Sequence, residues 1–418
     1  MNFRDALLVV LFFCASSLLS AEEIRVSLQL QPNQRDTFER IFQQFQVETG
    51  IKIVSVVETD LGYKRKVPLW LIERKDTPDV MFWSASQRLY LYAEKGLILP
   101  ITELWDEQNY DELFSHVKTG VTLNGEVYAI PFAYYHWGLF FRKSMVEQFG
   151  GAPEDWESFI AVLTRMKKAG ITPIGIGTRQ NWPAAAWFDY INLRMNGLDF
   201  HLELLNGNVS FHDARVQNVL LEWKRLIDSQ FYNEDHENYD WDGVLPFFYR
   251  NKMGFMLLGN FVASRWPVRD PLFEDIGFMP FPTINRGIPY YENAPTDVFM
   301  IPKSTTKVAE AKAFLRFMAR ADVQTTLNKD LGYLPPNREA TVGEDRFIRD
   351  GAELISRAAG LAQYFDRDTP PAFDELATPL LADYISTGNI DALTEGLEAA
   401  RITIFGLTPN PQDSQPVP

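Results

Sequence analysis

NGEVYAIPFAYYHWGLFFRK, residues 124–143, opens with a short polar turn and continues as an extended apolar run. Pro131 lies inside that run, and Tyr134, Tyr135, His136 and Trp137 interrupt it. A proline has no N–H to give to a ladder, which argues against a buried central strand. Four adjacent side chains with ring faces and polar edges suit a strand that crosses an open cleft.

Upstream, Ile24, Val26, Leu28 and Leu30 alternate with polar residues, the period of a half-buried strand. Phe38, Ile41, Phe42 and Phe45 then recur at helical spacing, and Gly50 stops that helix. Residues 51–57 read as a second strand and 80–83 as a third. Strand, helix, strand in this order predicts an α/β fold with a parallel sheet and helices on its faces.

Downstream, Trp156, Phe159, Ile160 and Leu163 form one helical stripe that ends at Gly170. Further strands are expected at 174–176, 252–258 and 297–301, and a helix at 304–318. After Arg338 the chain reads as mostly helical to about residue 404. Residues 408–418 are Pro-rich and polar, the composition of a disordered tail. Neither a long linker nor an internal repeat is visible.

With 418 residues, 46% of them hydrophobic and 23% charged, the chain can build two or more sizeable cores. A formal net charge of -15 repels phosphate backbones and anionic head groups, so nucleic acid is not an expected partner. Arg4 followed by an apolar run over 6–19 and small residues at Ser20 and Ala21 predicts a secretory leader, residues 1–21, cut after Ala21. The only cysteine, Cys14, follows Phe13 inside that run, so lipid attachment is not expected. Removing the leader would leave no cysteine for disulfides, thiolate metal sites or catalysis. A periplasmic, freely diffusing protein is expected.

Three blocks carry a family resemblance. TPDVMFWSASQRLYLYAEKGL (77–97) pairs a proline-aspartate strand entry with an aromatic strand end and a helix closed by Lys95, Gly96 and Leu97. IPFAYYHWGLFFRK precedes APEDWESF within 128–159. VFMIPKSTTKVAEAKAFLRFMARADVQ leads to GYLPPN within 296–337. In order and spacing they resemble the extracellular solute-binding proteins of ABC importers, and among them the maltose-type members that bind sugars and oligosaccharides.

That resemblance implies a two-lobed periplasmic binding protein fold (type II), each lobe a sheet flanked by helices. Three hinge crossings would fall at 130–135, 293–297 and 332–338. The first lobe would take 22–131 with 295–334, the second 132–294 with 335–406, and 407–418 the tail. It also implies a monomeric receptor that captures a carbohydrate between the lobes and delivers it to the permease subunits of an ABC transporter. No cofactor, metal or catalysis is expected.

A sugar offers an apolar C–H face to aromatic rings and a hydroxyl rim to amides and carboxylates. Ten Trp and sixteen Tyr fit this demand. Trp83 matches the family's cleft tryptophan at a strand end; the alternative is a core aromatic. Tyr135 sits where the hinge strand presents a ligand contact, and His136 or Trp137 shares that role according to strand register. A purely structural hydrogen bond is the rival role for His136. Trp182, Trp241, Asn260 and Asp297 are candidates from strand-end loops, and Asp297 is equally placed as a hinge carboxylate. Glu58 and Gln87 are candidates from first-lobe loops, whereas Trp187 and Trp223 read as core.

Other chemistries find little support. GIGTRQ breaks a dinucleotide fingerprint at Gln180, and the spacing after Asp240 and Asp242 is not that of a calcium loop. Tyr290 and Tyr291 are similar to the paired tyrosines of ferric-binding proteins, but the basic partners are not evident. A glycosidase would need two carboxylates roughly 5 to 9.5 Å apart, and no motif marks them. A sensory role, docking on a chemoreceptor or histidine kinase, differs only in its partner. Arg88, Arg179 and Arg338 leave acidic sugars open.

Overall fold

The computed structural model describes residues 22–30, 34–266 and 271–407. The expected leader and residues 408–418 of the expected tail lie outside these.

A five-stranded sheet runs in the order Lys52–Glu58, Glu23–Gln29, Val80–Ser84, Thr296–Met300, Ala129–Tyr134. The first three strands are parallel, as the strand-helix-strand order predicts, while Thr296–Met300 runs against both neighbours and makes the sheet mixed. Ala129–Tyr134 is therefore an edge strand. Pro131 sits on it beside a register shift between Asp297 and Val298, where a missing N–H disturbs no inner ladder. The helix Arg35–Thr49 lays Phe38, Ile41, Phe42 and Phe45 on this sheet and ends at Gly50, whose φ of 77° suits glycine. Phe42 and Phe45 meet Phe314 edge-on, and Phe38 meets Phe132, closing the first core.

A second, four-stranded sheet runs Ile276–Met279, Trp137–Arg142, Met253–Gly259, Thr172–Ile174. Helix Trp156–Lys168 opens with a reciprocal cap between Asp155 and Ser158 and buries Trp156, Phe159 and Leu163. Trp187 and Trp223 lie in this core, as read from the sequence. Strand pairing is recorded over 172–174 and not 174–176, because the Ile176 N–H turns to the Asn233 side chain at 2.9 Å. The expected helix at 304–318 starts only at Val308. Before it, Thr305 donates to Asp79 at 2.6 Å and accepts from the Lys307 N–H at 3.1 Å, which holds a turn. The stretch read as mostly helical contains a short strand, Gly360–Ala362, paired with Tyr291–Asn293.

Three passages join the two units side by side. Tyr134 and Leu334 exchange backbone hydrogen bonds of 3.0 and 2.8 Å, and the Tyr135 N–H donates to Pro295 O at 3.3 Å. No helix among the described residues is long and apolar enough to cross a membrane.

Candidate functional site

The two sheets end on a shared cavity of about 220 Å³. Loops beyond the carboxyl ends of strands are where ligands of open α/β sheets bind. The first unit contributes the polar groups Gln29, Gln34, Lys64, Ser84, Arg88 and Asp297, together with the rings of Phe38, Phe82, Phe132 and Tyr333. The second contributes the rings of Tyr135, Trp137, Trp182, Trp241, Phe261 and Tyr364, with Gln180, Asp366 and Arg367 as its polar groups.

Phe261 is the hub of a cluster of these rings. Trp137, Trp182, Trp241 and Tyr135 all meet it near-perpendicularly, with centroids 5.1 to 5.9 Å away. Tyr364 stacks on Trp137 at 4.6 Å. The half-buried Trp182 and Trp241 keep part of their surface open. Edge-to-face contacts of this kind hold rings in fixed orientations.

The arginines and carboxylates on the wall are engaged in ion pairs. Arg367 ion-pairs with Asp297 at 3.0 Å, donates to Thr296 O at 2.9 Å, and donates to the Tyr135 hydroxyl at 2.9 Å. Burial pushes the Asp297 carboxyl up from its ordinary range, and Arg367 pulls the other way. Burial likewise holds the Tyr135 phenol well above its usual value. Arg88 donates to Asp366 O at 2.6 Å and pairs with the Asp366 and Asp374 carboxylates at 3.2 and 2.9 Å. Burial alone would raise Asp366, but Arg88, Lys64 and Arg367 outweigh it and hold the carboxyl below its usual value. Asp368 goes the other way, pushed up to about 6 by burial.

Of the residues singled out in the sequence, Tyr135, Trp137, Trp182, Trp241 and Asp297 meet in this cavity. The other five do not line it. Trp83 is 4% exposed and points into the first core, its indole N–H bonded to Arg88 O at 2.8 Å and its ring against Tyr63 and Tyr92. Phe82 and Ser84, one residue to either side, face the cavity instead. Successive side chains of a strand point to opposite faces, so a one-residue step exchanges core for site.

The same alternation resolves the hinge strand. Tyr135 and Trp137 face the cavity, and His136 between them is fully buried against Phe278 at 5.0 Å. Burial lowers its pKa to about 3 and keeps the ring neutral. Asn260 is 1% exposed and ties the end of its strand to Gly332 O and, through its N–H, to His136 O at 2.9 Å. Its neighbour Phe261 takes the place on the wall. Gln87 bonds Asn206 at 2.8 Å across a separate groove, while its neighbour Arg88 faces the cavity. Glu58 pairs with Lys66 off the wall.

Lys64, Tyr364, Asp366 and Arg367 went unread in the sequence. Their one local signal is the aromatic-acid run YFDRD at 364–368, in a stretch read as helix. Among the described residues no cluster of three or more His, Cys, Asp or Glu could hold a metal. Tyr290 instead lies under the Arg194 guanidinium at 3.9 Å.

Two α/β units joined by three adjacent crossings, with a cavity of rings and polar groups between them, define a two-lobed binding protein. The model of the bacterial extracellular solute-binding proteins matches residues 31–325, and the chain belongs to that family of ABC-transporter receptors. An uncharacterized ABC transporter extracellular-binding protein of Pyrococcus horikoshii is 24% identical over 79% of this chain and 77% of its own. The melibiose/raffinose/stachyose-binding protein MelE of Bacillus subtilis is 24% identical over 76% of each chain. Among solved structures, the bacterial solute receptor AcbH, described as having an exclusive preference for β-D-galactopyranose, superposes with a TM-score of 0.85. It is 24% identical, covering 92% of this chain and 99% of its own. Maltose-bound MalE3 of T. maritima superposes with a TM-score of 0.75 at 16% identity, over 92% and 100%.

Proposed function

We propose that this protein is a periplasmic receptor that captures a sugar in the interlobe cavity and hands it intact to the permease of an ABC importer. The observation that carries this reading is a cavity wall that combines a cluster of rings around Phe261 with amide and charged groups. A sugar ring has the matching combination of C–H face and hydroxyl rim. The relatives named for sugars support the same class.

The contact residues on this reading are Tyr135, Trp137, Trp182, Trp241 and Asp297, joined by Lys64, Phe261, Tyr364, Asp366 and Arg367. Residues 22–134 with 295–334 form one lobe and 135–294 with 335–406 the other, the first boundary lying three residues later than expected because Ala129–Tyr134 belongs whole to the first sheet. Ligand that touches both lobes favours the closed arrangement, and that shape is what the permease reads. The leader 1–21 exports the chain, which works as a free monomer without lipid anchor. Both carboxylates on the wall, Asp297 and Asp366, are engaged by arginines, which favours binding over hydrolysis.

The test is a thermal-shift screen against neutral and acidic sugars, amino acids, polyamines and ferric iron. A sugar of micromolar affinity, about -8 kcal/mol, raises the melting point by several degrees. Recovery of the sugar unchanged excludes hydrolysis. A response to iron or polyamine alone would overturn the substrate class.

A further inference from the structure

The segment 360–368 walls two separate spaces. Tyr364, Asp366 and Arg367 face the cavity of about 220 Å³. Gly360, Leu361, Gln363 and Asp368 face a second groove between the same two units, of about 980 Å³. No described residue lines both. The segment is thus a septum, and it shuts the small compartment off from the large one.

The septum is fastened to both units. The Phe365 N–H donates to the buried Asp189 at 2.7 Å, and the Tyr364 hydroxyl donates to Trp182 O at 2.6 Å. On the other side Ser86 donates to Asp368 at 2.7 Å, and the Thr296 N–H donates to the Gln363 side chain at 2.8 Å. Tyr364 itself has φ 110° and ψ 149°, a backbone conformation disfavoured for any residue with a bulky side chain. Such a conformation persists only where the surroundings over-determine it, and it marks functional sites more often than others. A wall held this way does not swing aside for a longer ligand.

Size then restricts what fits. A volume of about 220 Å³ lies below the roughly 300 Å³ at which pockets for drug-sized ligands begin. One pyranose ring is of that scale; two are not. The ionic groups lining the cavity are the cations Lys64, Arg88 and Arg367 and the carboxylates Asp297 and Asp366, so charge alone does not turn away an anionic ring.

We propose that the Tyr364–Asp368 turn is a specificity filter that admits a single sugar ring and excludes longer sugars. This rests on the sugar-receptor reading and narrows it. The experiment is calorimetric titration of the purified protein with a panel of neutral and acidic monosaccharides and their di- and trisaccharides. One monosaccharide is expected to bind at least about a hundredfold more tightly than its oligomers, a gap of about 2.8 kcal/mol. A disaccharide within about tenfold of the monosaccharide overturns the filter and leaves the receptor. Silence from every sugar overturns both.

One variant probes the septum directly. Tyr364→Gly relieves the backbone and opens the septum, and is expected to narrow the gap between mono- and disaccharide at least about tenfold. A folded Tyr364→Gly that leaves the gap unchanged contradicts the proposal. Should it fail to fold, the gap between mono- and disaccharide in the unmodified protein still decides it.

Discussion

Two regions of the cavity wall are built by opposite chemistry. The first unit lends short polar groups at strand ends, such as Ser84 and Asp297, each held by the sheet behind it. The second lends a cluster of rings centred on Phe261, held by one another. Rings supply contact area with little orientation, and fixed polar groups supply orientation with little area. Neither region suffices alone, so a ligand that needs both also draws the units together.

Breaking the ion pair between the two units, Arg367 with Asp297, should have the largest effect. Arg367→Ala leaves Asp297 buried without its cation, which should remove about 3–5 kcal/mol of stability. The same change should weaken sugar binding at least about a hundredfold, by losing Arg367 and freeing Tyr135. Denaturation and calorimetry check the two parts. A variant of unchanged affinity would move the ligand away from this pair.

The tryptophans sharpen the contrast between core and site. Trp83→Ala should destabilise the first unit by roughly 3–5 kcal/mol, because it empties a packed interior. Trp182→Ala should do the reverse, costing about 1–3 kcal/mol of affinity with little change in stability. Equilibrium unfolding beside titration separates them. A stable Trp83→Ala that no longer binds sugar would return Trp83 to the site.

His136 gives a smaller effect with a definite sign. Burial holds it neutral, with a pKa lowered to about 3, and neither ring nitrogen has a hydrogen-bond partner among the described residues. Its folded pKa lies below the unfolded value of about 6.5. The stability it contributes is therefore complete above about pH 6.5 and declines as pH falls toward 3. His136→Leu should flatten the pH dependence of unfolding by up to about 1.4 kcal/mol per pH unit in that window. An unchanged slope would mean the ring is solvated. Glu58→Ala, which removes an outlying pair with Lys66, should change stability by less than about 1 kcal/mol and leave affinity untouched.

Much of the frame was legible because its signals are local. Alternation in Ile24 to Leu30, the helical stripe from Phe38 to Phe45 and the proline-marked edge strand each speak through their own residues. The site was legible to within one residue. Val80 to Trp83 are all apolar and buried, so no alternation tells Trp83 from Phe82. The same single step separates Asn260 from Phe261 and Gln87 from Arg88. The septum was not legible at all. Tyr364 and Arg367 reach their partners Trp182 and Asp297 only through the tertiary fold, 182 and 70 residues away. Short elements between long helices carry little periodic signal of their own.

The most direct test is a crystal structure of the protein with its sugar. The account predicts one ring among Trp182, Trp241 and Phe261, its hydroxyls within hydrogen-bond reach of Asp297 and Arg367, and Tyr364 closing the compartment. A sugar in the groove lined by Gln87, or one extending past a displaced Tyr364, would contradict it.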